Sequence, residues 1–310
     1  MVTFFNRIII IVLLMMLISC NNDKKEDKVN GFDISASMSN IIYSYKKDSI
    51  YVIYIKSINK DDKAKIILKN SGNYVNPKYF KNEKSIISVY YPKNTLNPEF
   101  HFYDIEKGKI TEKIKIGEGF ISDYTLYSAN KIYYLQAKTF DSYSPIASKS
   151  YHNFDIYSLD LETLEINKIS NSESYFMDEI LKLNKNELLI TVRGTSSKSG
   201  LFLLNINSTN DEQNFNKILI INDTLRNSEM YTNPVILPNG NILSASSYQM
   251  VELNLKSKME YPILPSNGRH YKTIRNISNM IFYKQTDYTD SIYYFNLDNK
   301  IIKSLNVAPE

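Results

Sequence analysis

Five times in this chain an Asp or Asn stands between apolar residues at the end of a strand-like run. The copies are Tyr103-Asp104-Ile105, Leu159-Asp160-Leu161, Leu204-Asn205-Ile206, Leu253-Asn254-Leu255 and Phe295-Asn296-Leu297, at intervals of 42 to 56 residues. A short acid or amide there suits a turn, because its side-chain oxygen can bond the backbone two residues on. The next residues are turn-like, as in Glu106-Lys107-Gly108-Lys109 or Asp298-Asn299-Lys300, and then comes a last apolar-rich run: Ile110–Ile116, Leu164–Ile169, Met259–Leu264 and Ile301–Val307. The copy after Asn205 has a longer turn, residues 207–216, before Lys217–Ile221.

The segment from Tyr124 to Ser170 shows the unit most plainly. Lys131–Leu135, Asp155–Leu161 and Leu164–Ile169 read as successive antiparallel strands. An earlier copy lacks the marker but keeps the spacing: Phe32–Ser35, Ile41–Tyr45, Ile50–Ile55 and Ala64–Leu68 supply its four strands. Repeats of 40–50 residues with four short strands each indicate a β-propeller, whose blades bury both faces only by stacking on one another. The expected fold is therefore all-β, a six-bladed propeller over residues 31–310. A five-bladed ring, with the first unit a half-blade completed by the carboxy-terminal strand, is the alternative. The composition agrees: 25 Tyr and 14 Phe among 310 residues favour strands.

Asn76-Pro77-Lys78-Tyr79-Phe80 through Ile87, and Asn233-Pro234-Val235-Ile236-Leu237-Pro238-Asn239-Gly240 through Leu243, resemble the TolB-type propeller repeat of Pro, an apolar residue, a Ser-Pro-Asp-Gly-like turn and a strand. Pro238-Asn239-Gly240 is the nearest match. The resemblance implies a TolB-like propeller and leaves activity open.

The amino terminus carries a different signal. One Arg precedes the apolar run Ile8–Ile18, which is shorter than the roughly 20 residues a spanning helix needs and suits the core of an export signal. Leu17-Ile18-Ser19-Cys20 resembles the bacterial lipoprotein lipobox. That resemblance implies a signal peptide over residues 1–19, an acylated Cys20, and a polar tether over 20–30 leading to an outer-membrane anchor on the periplasmic or outer face. Lys25-Glu26-Asp27 resembles the surface-export signal of Bacteroidetes lipoproteins. Cys20 is the only cysteine, so neither a disulfide nor a thiol nucleophile is expected.

In a four-stranded meander, the loops between second and third strands share one rim with the links between blades. These are the long connections here, among them residues 91–99, 137–153, 193–200 and 284–291. Long loops on a rigid scaffold carry function, so this rim supplies the candidate ligand-binding residues: Tyr143, Tyr151, His152, Arg193, Arg226, Tyr231, Arg269, His270, Tyr271 and Tyr288. Tyr and Arg are enriched at binding surfaces.

No motif points to catalysis. The three histidines, His101, His152 and His270, lack a second His or Cys at ligand spacing, so neither metal nor other cofactor is expected. There is no nucleophile elbow or phosphate-cradling loop. The net charge of +4 is spread along the chain, which argues against nucleic acid as partner. The expectation is a non-catalytic binding or scaffolding propeller for a protein, peptide or glycan. The rival is a glycan-active hydrolase or lyase. Converging carboxylates of raised pKa at the channel mouth would favour the enzyme; Tyr, Asn and Ser there would favour binding.

Overall fold

The computed structural model describes residues 28–59, 62–142, 148–193, 199–207, 215–217, 231–246, 249–265, 270–286 and 290–309. They form six four-stranded antiparallel sheets. Blade one is β1 (Val29–Ile34), β2 (Asn40–Lys47), β3 (Ile50–Ser57) and β4 (Lys65–Leu68); blade two is β5 (Asn73–Phe80), β6 (Ser85–Tyr91), β7 (Glu99–Asp104) and β8 (Lys109–Lys115). Blade three is β9 (Phe120–Ser128), β10 (Lys131–Asp141), β11 (Ser150–Asp160) and β12 (Ile166–Lys168); blade four is β13 (Phe176–Lys182), β14 (Glu187–Arg193), β15 (Gly200–Asn205) and β16 (Phe215–Lys217). Blade five is β17 (Thr232–Ile236), β18 (Ile242–Ala245), β19 (Gln249–Asn254) and β20 (Met259–Pro265); blade six is β21 (Tyr271–Ile277), β22 (Met280–Gln285), β23 (Ser291–Asn296) and β24 (Ile302–Asn306). In every blade the strands pair in chain order, so the protein is a six-bladed propeller.

The repeat markers end the third strands and do what their chemistry suggests. Asp104 Oδ1 accepts from Lys107 N (2.8 Å), Asp160 Oδ1 from Glu162 N (2.9 Å), and Asn205 Oδ1 from Asn207 N (3.0 Å). Asn254 and Asn296 repeat the contact with Lys256 N (3.0 Å) and Asp298 N (2.8 Å).

Burial follows position in the blade. Second strands are buried on both faces, as along Ile41–Tyr45 and Ile86–Tyr90, because a neighbouring blade covers each side. Fourth strands are largely exposed, as β12 shows. Six apolar clusters fill the six junctions between blades. Much of the tyrosine is spent here rather than on a rim: Tyr43, Tyr54, Tyr74, Tyr124 and Tyr134 are all fully buried. Stacked pairs such as Tyr43–Tyr54, with centroids 5.6 Å apart, fill the width between sheets.

Ring closure involves no exchanged strand. Blade one takes all four strands from the amino-terminal side, which settles the half-blade alternative in favour of six whole blades. The junction between blades one and six is made by side chains. Phe32, Tyr43 and Val52 pack with Phe282, Ile292 and Val307. Tyr45 Oη donates to Asp290 Oδ1 (2.6 Å), and Lys56 Nζ donates to the Asn306 carbonyl (2.9 Å).

One stretch departs from the sequence reading. Residues 137–153 read as a loop, but β10 runs on to Asp141 and β11 begins at Ser150, pairing Thr139 with His152 and Phe140 with Tyr151. The polar residues Lys138, Thr139 and Asp141 hide the strand because this stretch extends past the neighbouring blades and is exposed.

Blade two buries a polar network. His101 Nε2 lies 2.8 Å from Glu99 Oε2, its Nδ1 lies 3.1 Å from Tyr74 Oη, and Tyr90 stacks on its ring at 4.6 Å. Burial depresses the imidazole pKa and outweighs the pull of Glu99 in the other direction. With the folded pKa below the unfolded one, this network contributes its full stability above pH ~6.5 and loses it as pH falls. The urea midpoint should therefore drop between pH 7 and pH 5, and His101→Phe should flatten that dependence.

Candidate functional site

The six innermost strands surround the channel, and each is irregular at the same height. In five of them, two residues oppose one on the second strand: Asn30-Gly31 across from Ser44, Asn76-Pro77 from Ser88, Ser122-Asp123 from Leu135, Asp178-Glu179 from Thr191, and Asn233-Pro234 from Ser244. In β21 the extra residue is Lys272. Such bulges re-aim side chains and recur beside functional sites. The residue types fit the backbone. Gly31, Asn76 and Asn233 have φ of 84°, 48° and 52°, a region Gly and Asn tolerate best. A Cβ on Gly31 would stand 2.7 Å from Asn76 Oδ1, so blades one and two meet closely there. Ser88 and Ser244 brace their bulges by donating to the carbonyls of Val75 and Thr232, both at 2.8 Å.

The bulges line a funnel of about 700 Å³ that opens where the inner strands begin. Asn30, Asn76 and Asn233 set amides around it, and Asp123, Asp178, Glu179, Lys272 and Arg275 add charge. A second cavity of about 330 Å³ continues inward past Asp33 and Lys78. Asp123, Glu179, Asn233 and Arg275 line both cavities and so form the constriction between them.

Most of these charges already have partners. Lys78 Nζ donates to Asp123 Oδ1 (2.9 Å), and Asp123 Oδ2 accepts from the Ile180 N–H of the next blade (3.1 Å). Asp33 accepts from Tyr79 N (2.9 Å) and pairs with Arg275 Nε at 3.5 Å. Arg193 grips both carboxylate oxygens of Asp178 through Nε and Nη2. Burial raises the carboxyl of Asp178 while Arg193 pulls it back. Glu179 is less fully met: the Thr191 hydroxyl and the Asn233 N–H lie against its carboxyl, but its Oε2 is enclosed without a hydrogen-bond partner. Burial first, and the adjacent Asp178 second, push its carboxyl up to about 8.

Of the residues expected from sequence, Arg193, His270 and Tyr271 line the funnel. Tyr271 is buried, and its hydroxyl donates to the Pro265 carbonyl (2.9 Å). Tyr231 is also buried and bonds Glu260, while His152 is buried within blade three. Tyr151 is half-buried in an aromatic run along the rim. It contacts exposed Phe140 (4.9 Å) and stacks on Phe120 (5.6 Å), which stacks in turn on Tyr91 (6.1 Å). From Phe120 the run continues through Phe154 to Phe176, over which Arg193 sits at 5.0 Å. Tyr143, Arg226, Arg269, Tyr288 and Cys20 lie outside the described residues.

Sequence reasoning placed function in the loops and passed over the bulge residues. Two signals for them were present: Asn-Pro recurs at Asn76-Pro77 and Asn233-Pro234, and Asn30-Gly31 is a turn pair inside a strand. Arg193→Ala should cost about 1–2 kcal/mol, since it strands the Asp178 carboxylate while Arg193 itself is half exposed. Adding Asp178→Asn should restore most of that loss in urea unfolding.

Fold and site together define a TolB-like six-bladed propeller with a polar funnel built from its inner strands. No protein-family model matches the chain, and no curated protein matches it in sequence. Among solved structures it is similar to TolB from Acinetobacter baumannii, with a TM-score of 0.62 and 13% identity over 87% of this chain. The chain spans 64% of that protein's length. It is also similar to an oligogalacturonate lyase in complex with manganese, with a TM-score of 0.58 and 10% identity over 91% of this chain and 78% of the lyase. The WD40 β-propeller domain of Doa1 aligns with a TM-score of 0.57 and 11% identity, over 84% of this chain and 76% of that domain. Likeness at these identities is likeness of fold. Among the described residues, no three His, Cys, Asp or Glu side chains are grouped to hold a metal ion, so they offer no ligand set for an ion like the manganese of that lyase.

Proposed function

We propose that this protein is an envelope lipoprotein, anchored through Cys20, whose propeller binds a saccharide chain in the funnel without transforming it. The observation that carries this reading is the row of bulges. Asn30, Asn76 and Asn233 present amides to hydroxyl and acetamido groups from three blades, the Asn76 and Asn233 nitrogens also bonding the Ser122 and Tyr271 carbonyls, while Asp123, Asp178 and Arg193 are taken up by protein partners. The funnel falls within the roughly 300–1,000 Å³ typical of sites that enclose a small ligand. Its few apolar lining residues, such as Val29 and Ala245, give peptide side chains no deep pocket. Val29 and Asn30 belong to the funnel wall, so a tether from Cys20 joins the propeller on the funnel side.

A second reading rests on Glu179. Glu179 and Asp178, adjoining carboxyls both raised by burial at the channel mouth, are the feature that favours an enzyme, and a pair of carboxyls is what glycoside cleavage uses. Calorimetry of the purified protein against neutral and acidic oligosaccharides and short peptides, with product analysis of each mixture, separates the two. Binding without products supports the proposal. Products that disappear in Glu179→Gln would replace it with the enzyme, and binding of peptides alone would overturn the saccharide. Aromatic faces stack on sugar rings, and Phe140 is 49% exposed at the outer end of the aromatic run. Phe140→Ala should weaken the longest bound oligosaccharide by ~1 kcal/mol, about fivefold, and leave the shortest unaffected.

A further inference from the structure

The constriction between the two cavities holds four side chains, and three are committed to the protein. Asp123 is held by Lys78 and by the Ile180 N–H. Arg275 faces Asp33 and donates from Nη1 to the Ile274 carbonyl at 2.9 Å. Asn233 donates to the Tyr271 carbonyl at 3.2 Å. Glu179 lines both cavities; the Thr191 hydroxyl opposite its bulge and the Asn233 N–H lie against its carboxyl, yet its Oε2 is enclosed with no hydrogen-bond partner. A buried polar group left unmade in this way is costly unless something completes it.

We propose that Glu179 is the specificity-determining group of the funnel, donating a hydrogen bond as a carboxylic acid to an uncharged acceptor oxygen of the ligand, a hydroxyl or an acetamido carbonyl. This rests on the saccharide reading above. The groups around Glu179 keep it an acid. Asp178 adjoins it on β13 and Asp123 faces it from β9, both adding negative charge. Arg193 on β14 is engaged by Asp178. Lys78 on β5 is engaged by Asp123, and Arg275 on β21 faces Asp33 on β1. His270 and Lys272 enter the funnel from blade six, and blade five contributes the uncharged Thr232, Asn233 and Ser246. A bound acceptor oxygen takes the proton's hydrogen bond, so ligand binding and proton retention reinforce each other.

The ionised form has no such bond to give, and affinity then scales with the fraction of Glu179 still protonated. With its carboxyl near 8, the affinity for a neutral oligosaccharide should fall about tenfold between pH 7 and pH 9. The test is calorimetry of the purified protein with the tightest-binding neutral oligosaccharide of the panel at pH 7, 8 and 9. Carboxyl NMR of the unliganded protein accompanies it, with the Glu179 signal assigned through Glu179→Gln. Glu179→Gln, whose amide still donates, should bind with no pH dependence in this window, and Glu179→Ala should bind at least tenfold more weakly. Wild-type affinity that is flat with pH, a pH dependence that survives in Glu179→Gln, or a Glu179 signal titrating below pH 6 would overturn the proposal and leave saccharide binding standing. If no oligosaccharide binds at all, the saccharide reading fails and this role of Glu179 fails with it.

Discussion

Glu179→Gln is expected to stabilise the protein by roughly 2–4 kcal/mol at pH 8.5 and by much less at pH 5. The sign comes from the carboxyl's position. Glu179 is raised from 4.5 to about 8 by burial and by Asp178, so the fold favours its protonated form. The unfolded chain releases that proton near 4.5, and the native state is progressively penalised as pH climbs from there to about 8. Glutamine keeps the shape and never ionises, so it escapes the penalty. Urea melts of both proteins at the two pH values measure the difference. Equal stability at pH 8.5 would mean that Glu179 ionises without cost and is not enclosed as described.

Tyr124→Ala is expected to destabilise the protein by about 3–5 kcal/mol, and Tyr124→Phe by about 1–2 kcal/mol. Tyr124 is fully buried in the junction between blades two and three. Its ring meets Phe100 edge-on at 5.1 Å and carries Lys78 Nζ 4.6 Å from its centroid. Its hydroxyl lies 2.8 Å from the carbonyls of both Asn76 and Ile87. The alanine variant opens a cavity and frees two carbonyls; the phenylalanine variant does only the second. Because Asn76 is a bulge residue, Tyr124→Phe should also weaken ligand binding while the protein remains folded, and calorimetry on the folded variant separates that loss from instability.

The repeat was readable because its punctuation is local. Asp104, Asp160, Asn205, Asn254 and Asn296 each bond the backbone two or three residues ahead, and a contact of that range leaves its mark at fixed spacing. The funnel was hard to read for the opposite reason. That Asp178-Glu179 stands opposite Thr191, or Asn76-Pro77 opposite Ser88, depends on strand register. That six such places share one height depends on the ring. Tyrosine misled in the same way: composition cannot separate Tyr134, fully buried between blades, from Tyr175, which is exposed. The lipid anchor at Cys20 is a sequence expectation whose residues lie outside those described.

The seam between blades one and six has an evolutionary consequence. Because no strand is shared across it, every blade is an uninterrupted stretch of gene. A tandem duplication or deletion of one such stretch adds or removes a complete module, and the two ends of the ring need no matching halves. The intervals between the markers, from 42 to 56 residues, show that such a module tolerates changes in the length of its own connections without disturbing its neighbours.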